Sequence, residues 1–133
     1  MKNDNHIRAT GRRKTSVAQV RLVPNGEGKV TVNTKAADDY FRGQDHRLRN
    51  VLAPIGLVEN GKKFDYVVKI VGGGMTGQAE AARHAIARAL VKLDDKNKKV
   101  MRANGFLTRD PRMVERKKSG QPKARKRFQY SKR

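Results

Sequence analysis

The sequence predicts an α+β fold: a two-layer α/β sandwich with helices on one face of a sheet, followed by a long, extended, basic C-terminal tail. Residues 16–23 and 64–71 alternate apolar and other side chains with the period of a strand, whereas residues 76–93 repeat apolar side chains at helical spacing. Strands and helices in this order are typical of two packed layers. We therefore predict a globular domain over residues 1–104 and a tail over residues 105–133.

The first clear strand is predicted where Ala18, Val20 and Leu22 alternate with Gln19 and Arg21. This period of two is the pattern of a strand with one buried face. A further short strand segment is expected just before it, over residues 6–10.

A second strand is expected after a turn. Pro24–Gly28 is rich in turn-forming residues, and the alternation then resumes with Val30 and Val32. Two strands separated by a short Gly-containing turn usually pair with each other. The sequence therefore predicts an antiparallel hairpin between residues 16–23 and the strand at Val30.

Two helices are predicted next. Thr34 is expected to N-cap a short helix that ends at Phe41. The second helix begins near Asp45, and Pro54 and Gly56 are expected to mark its end. Its apolar face is predicted to consist of Leu48, Val51, Leu52 and Ile55.

The third strand, Phe64–Val71, is expected to lie in the interior of the sheet, because Lys69 on its second face stands among partly apolar residues. A long helix over residues 76–93 and a last helix follow, the latter capped by Asp95 and ending at Gly105. The long helix is predicted to face inward with Ala79, Ala82, Ile86, Ala89, Leu90 and Leu93. Its opposite side is predicted to carry Glu80, His84, Arg88 and Lys92.

The charge of the chain restricts its partners. Its 133 residues include 32 Lys and Arg against 12 Asp and Glu, a formal net charge of +20. Such a field attracts polyanions, and no run approaches the roughly 20 apolar residues of a membrane span. Cysteine is absent, which excludes disulfides and thiolate metal sites, and no secretion signal is evident. We expect a cytoplasmic protein that binds nucleic acid and no membrane.

A glycine-rich segment, Gly72-Gly73-Gly74-Met75-Thr76-Gly77, fits the G-x-G-x-x-G pattern of dinucleotide-binding loops. The context argues against that site, because Asp94 and Asp95 stand between helices and not at the end of a second parallel strand. Gln78-Ala79 replaces the Lys-Ser/Thr pair that a P-loop needs. Two readings stay open: Gly72, Gly73, Gly74 and Gly77 let a nucleic-acid phosphate approach the helix N-terminus, or they permit tight packing of helix on strand.

No catalytic residue, metal site or cofactor is predicted. His6, His46 and His84 lie in three different segments without acidic partners at metal-ligand spacing. Adjacent carboxylates such as Asp94 and Asp95 diverge on a helix and serve more naturally as caps. The sequence therefore indicates a binding protein without a small-molecule substrate, and not an enzyme.

Two basic segments are the candidate RNA-binding elements. The cluster at residues 11–16, with Arg12, Arg13 and Lys14, is expected to hold RNA backbone from a loop. The tail has 11 basic and 2 acidic residues among 29, too little apolar surface to fold by itself, and is expected to order against RNA. The tail residues predicted to bind rRNA are Arg109, Arg112, Arg116, Lys117, Lys118, Lys123, Arg125, Lys126 and Arg127.

Three blocks of sequence together resemble the bacterial-type small-subunit ribosomal protein nine family. They are Gly11-Arg12-Arg13-Lys14-Thr15-Ser16-Val17-Ala18; Gly72 to Ala81 running into Ile86-Ala87-Arg88-Ala89-Leu90; and the tail with Leu107-Thr108-Arg109-Asp110, Glu115-Arg116-Lys117-Lys118 and Gln129-Tyr130-Ser131-Lys132-Arg133. The likeness spans nearly the whole chain.

The resemblance implies a structural protein in the head of the small ribosomal subunit. Its partners would be 16S-type rRNA, neighbouring head proteins and the tRNA in the peptidyl site, which Ser131, Lys132 and Arg133 would approach. It also implies the sandwich type of the second domain of ribosomal protein S5, with a left-handed βαβ crossover. Two alternatives remain at this point: a small nucleotide-binding enzyme that uses the glycine-rich segment, and a free-standing nucleic-acid chaperone.

Overall fold

A five-stranded sheet forms one layer of the protein. A computed structural model describes residues 7–108 and Ser119, and the sheet order is β1-β2-β5-β3-β4. The strands are β1 (Arg8–Arg13), β2 (Ser16–Pro24), β3 (Val30–Val32), β4 (Lys35–Ala36) and β5 (Phe64–Val71). The helices are α1 (Ala37–Tyr40), α2 (Asp45–Leu57), α3 (Met75–Leu93) and α4 (Lys96–Ala103), with a 3-10 helix at Glu59–Lys63. The predicted α+β class is confirmed, and residues 109–133 of the predicted tail, except Ser119, lie outside the described residues.

The core lies between the sheet and the helices. Alternate residues of β2 and β5 face inward, as their period of two predicts, and Tyr66 at the centre is fully buried. Burial raises the pKa of Tyr66 well above its usual value, and its hydroxyl donates a hydrogen bond to the carbonyl of Gly61. Helices α2 and α3 pack on each other, and α3 lies across β1, β2 and β5. The opposite face of the sheet is not covered by any described helix.

The predicted hairpin between β2 and β3 is wrong, because β5 lies between these strands. It pairs antiparallel with β2 and parallel with β3. The turn after β2 instead bonds to the start of β5: the amides of Glu27 and Lys29 both donate to Asp65 Oδ1, at 3.0 and 3.1 Å. A central strand satisfies its backbone groups only when both of its edges are paired, which β5 achieves by separating β2 from β3.

The N-terminal strand is longer than predicted. Residues Gly11–Arg13 were expected in a loop, but they belong to β1, which pairs with β2 along its whole length. Only Lys14 and Thr15 form the connecting turn, with Lys14 at a φ of 54°. The basic cluster is therefore the end of a hairpin and not a loop.

Thr34 does not cap α1, contrary to the prediction. Asn33 and Thr34 have positive φ values of 48° and 72° and form the two-residue turn between β3 and β4. The Asn33 side chain exchanges two hydrogen bonds with the backbone of Ile70, at 2.9 and 3.1 Å. Because that side chain extends the ladder of β5, the turn is held in place and the helix begins only at Ala37.

Two further helix predictions need correction. Helix α2 continues through Pro54 to Leu57, because the buried ring of Pro54 packs in the core and compensates for the hydrogen bond that proline cannot donate. Leu52, expected inward, is 37% exposed. At α4 the amide of Lys96 donates its hydrogen bond to Asp94 Oδ1 at 3.0 Å, whereas the predicted cap, Asp95, makes no side-chain capping hydrogen bond.

Helix α3 comes into backbone contact with β1 because small residues face each other. Ala81, Ala82 and Ala85 are fully buried, and a Cβ built on Gly11 would overlap the carbonyl oxygen of Ala81 and the amide nitrogen of Ala85. Neither backbone can yield without moving the helix off the sheet. Gly11 therefore sets how closely the two layers approach.

Across residues 7–108 and 119, none of the helices combines the length and the apolar character needed to cross a membrane.

Replacing Gly11 with Ala should therefore lower the free energy of unfolding by about 3 kcal/mol, the upper part of the range for an overpacked core. The matched control is Gly56→Ala in α2, where an added Cβ meets no atom within 4 Å. That variant should be neutral or more stable by about 0.5 kcal/mol. Urea denaturation of both variants measures the difference, and equal stability of the two would contradict the packing argument.

Candidate nucleic-acid interface

The end of the β1–β2 hairpin presents two exposed cations and buries a third. Strand alternation places Arg13 on the side of the helices and Arg12 on the open face, and Lys14 projects from the turn. Arg12 and Lys14 are exposed, whereas Arg13 is 9% exposed. The two exposed side chains can therefore reach a phosphate without any rearrangement of the body.

Arg13 ties the hairpin end to helix α3. Its guanidinium Nε donates to Glu80 Oε2, and the two side chains are only 11% and 27% exposed. Each charge of so buried a pair stabilises the other, because either charge alone would be removed from water without a countercharge, at a large cost in free energy. The sequence predicted Arg13 as an RNA ligand, but the structure gives it a part inside the protein.

Glu80, His84, Arg88 and Lys92 were predicted on the side of α3 opposite its apolar face; in the structure Arg88 and Lys92 are exposed, and Glu80 and His84 are half-buried. The long side chains of α3 lie along the free edge of β1. Arg88 Nη1 donates to the carbonyl of Thr10 at 2.6 Å, and Lys92 Nζ donates to the carbonyl of Arg8 at 2.7 Å. The amide of Arg12 points at His84 Nδ1 at 3.4 Å. These cations compensate edge carbonyls that β2 does not reach.

The glycine-rich segment 72–77 packs tightly against Ser16. The Ser16 hydroxyl donates to the carbonyl of Gly72 at 3.0 Å, and a Cβ on Gly73 would overlap the same hydroxyl. Gly77 also faces Ser16, whereas nothing lies within 4 Å of a Cβ on Gly74. Gly72 and Gly73 have φ values of 78° and 69°, which favour glycine. Close packing thus accounts for three of the four glycines, and only at Gly74 among the four would an added side chain have open space.

The first residues of the predicted tail lie against α3. Gly105, at a φ of 73°, ends α4 as predicted, and the amide of Phe106 returns to the carbonyl of Met101 at 3.0 Å. The guanidinium of Arg83 lies 5.2 Å from the centre of the Phe106 ring. His84 Nε2 lies 3.2 Å from the carbonyl oxygen of Leu107. Sequence reasoning missed this attachment, because the α3 residues that make it, Arg83 and His84, are of types that ordinarily occur on a protein surface.

The two basic elements predicted from sequence therefore meet at one place. A small polar cavity of about 100 Å³ separates the hairpin end from the start of the tail. It is lined by Arg12, Arg13, Glu80, Arg83, His84, Gly105, Phe106 and Thr108. RNA held by the hairpin end and RNA held by the tail would consequently be neighbours.

Most of the predicted RNA ligands in the tail fall outside the described residues. This holds for Arg109, Arg112, Arg116, Lys117, Lys118, Lys123, Arg125, Lys126 and Arg127, and for Ser131, Lys132 and Arg133. In the part of the chain that the structure does describe, no three His, Asp or Glu residues lie close enough together to hold a metal ion.

Comparison with known proteins gives one consistent result. A family model described as ribosomal protein S9/S16 matches residues 11–133. The small ribosomal subunit protein uS9 of Christiangramia forsetii is 54% identical over 127 residues, covering 96% of this chain and 98% of that relative. Its counterpart from Methylacidiphilum infernorum is 52% identical over 127 residues, with 96% and 92% coverage. The one from Borreliella burgdorferi is 50% identical over 131 residues, with 98% and 95% coverage.

The contact between Arg13 and Glu80 predicts a stability loss when the charge of Glu80 is removed. Glu80→Gln should lower the free energy of unfolding by about 1–3 kcal/mol, because it removes the charge of Glu80 from beside the largely buried guanidinium of Arg13. Glu27→Gln is the control, since the Glu27–Lys29 pair is 82% and 77% exposed and should contribute about 0.5 kcal/mol or less. Denaturation curves of the two variants that coincide would show that the buried pair has no such role.

Proposed function

The chain belongs to the ribosomal protein S9/S16 family, and we therefore propose that it is a structural constituent of the small ribosomal subunit that binds 16S-type rRNA in the subunit head. The family match extends over residues 11–133 and so includes both basic segments; this observation carries the proposal. The membership also confirms the resemblance seen in the sequence and the prediction that the chain is not an enzyme.

The charge of the chain and the geometry of its body support rRNA as the partner. A net charge of +20 draws the chain to a polyanion and makes binding dependent on counterion release. In this proposal Arg12 and Lys14 contact phosphates directly, and Arg13 positions them through its bond to Glu80. These contacts are to backbone, so they orient the protein on the RNA and carry no base readout.

The turn before α3 is a second proposed point of phosphate approach. An added Cβ on Gly74 would meet no atom within 4 Å, and Arg47 Nε donates to Thr76 Oγ1 in the first turn of α3 at 3.1 Å. A positive side chain near a helix N-terminus favours an anion there. Gly72, Gly73 and Gly77 take part by holding the turn against Ser16 rather than by facing the phosphate.

The first residues of the tail lie against α3, and the tail is proposed to act as an anchor on rRNA over residues 109–127. Arginines suit this task because their planar guanidinium groups bind phosphate and stack on bases. Ser131, Lys132 and Arg133 are proposed to approach the phosphates of peptidyl-site tRNA. The start of the tail at Phe106 and Leu107, fixed on α3, would give that path a defined origin.

The finer topology and the setting follow the same proposal. β3 and β5 are parallel neighbours joined through α1 and α2, and we propose that this crossover is left-handed, as in the second domain of ribosomal protein S5. In the proposed setting, the cytoplasmic ribosome, neighbouring head proteins are further partners. No cofactor, membrane or small-molecule substrate takes part.

A nucleic-acid chaperone that acts outside the ribosome is the remaining alternative. It would share the charge and the salt dependence of a ribosomal protein. It would differ in stoichiometry, because a structural constituent is present once for each subunit. Sedimentation of cell extract therefore separates the two functions.

The first prediction of this proposal concerns salt. If about 6 to 10 phosphates are neutralised, affinity for small-subunit rRNA should fall by about 10³- to 10⁵-fold between 50 and 200 mM salt. Filter binding over this range measures the slope. Binding that does not change with salt, or a chain that fails to co-sediment with small subunits, would contradict the proposal.

The second prediction concerns the last three residues. A chain lacking Ser131–Arg133 should assemble into subunits normally and weaken tRNA in the peptidyl site by about two- to fivefold, the effect of one or two solvent-screened contacts. The control is Lys62→Gln/Lys63→Gln, which also loses two positive charges, but from the body of the protein. This variant should leave tRNA affinity unchanged. Toeprinting or tRNA binding to purified subunits compares them, and equal affinities for the truncated and full-length chains would refute the contact.

A further inference from the structure

The open face of the sheet carries a concentrated positive charge. Residues of β1, β2 and β5 that alternate with the core positions point to this side, and no described helix covers it. Its cations are Arg8, Arg12, Arg21 and Lys69. Asp65 is the one carboxylate that these three strands place there, and it already accepts two amide hydrogen bonds. The local charge is therefore not balanced within the described part of the protein.

Strand register brings two of these cations directly together. Arg8 and Arg21 are Cα partners across the β1–β2 ladder. Like charges at directly opposed positions of a sheet repel each other and destabilise the pair. In addition, Arg21 Nε is buried without a hydrogen-bond partner among the described residues. A buried guanidinium nitrogen without a protein acceptor is free to donate to water, an ion or a phosphate oxygen.

The shape of the face fits a chain of phosphates and riboses. A shallow cavity of about 410 Å³ lies over β1, β2 and β5. Three cations, Arg8, Arg21 and Lys69, line it together with Thr10, Gln19 and Val67, and Val67 has 38% of its surface exposed. Adjacent strands are spaced about 4.8 Å apart, so the cations of β1, β2 and β5 are separated by one or two strand spacings. Cations interspersed with hydrogen-bonding side chains and the exposed Val67 suit the phosphates and riboses of one RNA backbone.

The face lacks the features of a base-reading surface. Sheets that bind unpaired bases place aromatic rings on the exposed face for stacking. Here the aromatic side chains of β5, Phe64 and Tyr66, belong to the side of the helices. The face should consequently hold backbone, in a salt-dependent manner and with little dependence on base identity.

We propose that the open face of the sheet, centred on Arg8 and Arg21, is a docking surface for the sugar-phosphate backbone of rRNA. It adjoins the hairpin end, with which it shares Arg12, and it is distinct from the tail; it rests on the proposed function because the RNA is that of the small subunit. In the complex, phosphates neutralise the Arg8–Arg21 pair, and a phosphate oxygen accepts the hydrogen bond of Arg21 Nε.

The test compares two full-length variants that each lose two positive charges. Arg8→Gln/Arg21→Gln changes the open face, and Lys62→Gln/Lys63→Gln changes the 3-10 helix. With transcribed small-subunit rRNA as the probe, the first variant should bind about tenfold or more weakly at 100 mM salt. Its slope of log affinity against log salt should be less steep by about two, one for each lost phosphate contact. The control should lose less than about threefold.

Two further readouts distinguish binding from a structural role. The melting temperature of the free Arg8→Gln/Arg21→Gln protein should stay the same or rise, because the repulsion is removed. Hydroxyl-radical footprinting should show one segment of rRNA ribose that loses protection only in this variant. A lowered melting temperature with unchanged affinity would assign the arginines to the fold and overturn the proposal.

Other outcomes decide between occupants and between hypotheses. Equally weakened rRNA binding by both variants would mean that affinity depends only on the net charge of the protein, which refutes the docking surface. Unchanged rRNA affinity together with loss from assembled subunits would assign the face to a protein and also refute it. If the unchanged chain itself failed to bind small-subunit rRNA, the proposed function would fall as well. Normal rRNA binding by both the unchanged chain and the Arg8→Gln/Arg21→Gln variant would overturn only the docking surface.

Discussion

The direct contact between the backbones of α3 and β1 determines where the functional groups of this protein lie. Gly11 admits Ala81 and Ala85, and no side chain separates the helix from the strand. At this distance Arg13 reaches Glu80, and the long side chains of α3 reach past β1 to its free edge. The same helix carries the start of the tail. A single close approach therefore fixes the hairpin end and the tail relative to each other.

Much of the fold could be predicted because burial on one face itself produces the sequence pattern. β2, β5 and α3 show strong periods, and each was located to within a residue or two of its observed bounds. The β2–β3 hairpin failed because the pairing of β5 with both strands depends on contacts distant in sequence, whereas turn residues report only local preference. The prediction that Thr34 caps a helix is wrong for a related reason, because Asn and Thr occur both at helix caps and in tight turns.

The sequence predicts the basic character of the candidate site but does not predict which cations are exposed and which bond within the protein. Composition counts every Arg and Lys equally, although Arg13, Arg88 and Lys92 make bonds inside the protein. Distinguishing them from Arg12 and Lys14 requires the register of β1 and the side of α3 that meets it. The opposition of Arg8 and Arg21 likewise depends on register, so no reading of either strand alone could reveal it.

The hydrogen bonds from α3 to the edge of β1 also affect how the free chain associates with other chains. An edge strand with free carbonyls and amides invites another strand to add to it, which leads to misassociation or fibrils. Here Arg88 and Lys92 occupy the carbonyls of Thr10 and Arg8, and their charges repel an approaching copy. These two side chains thus hinder the addition of a second copy to this edge.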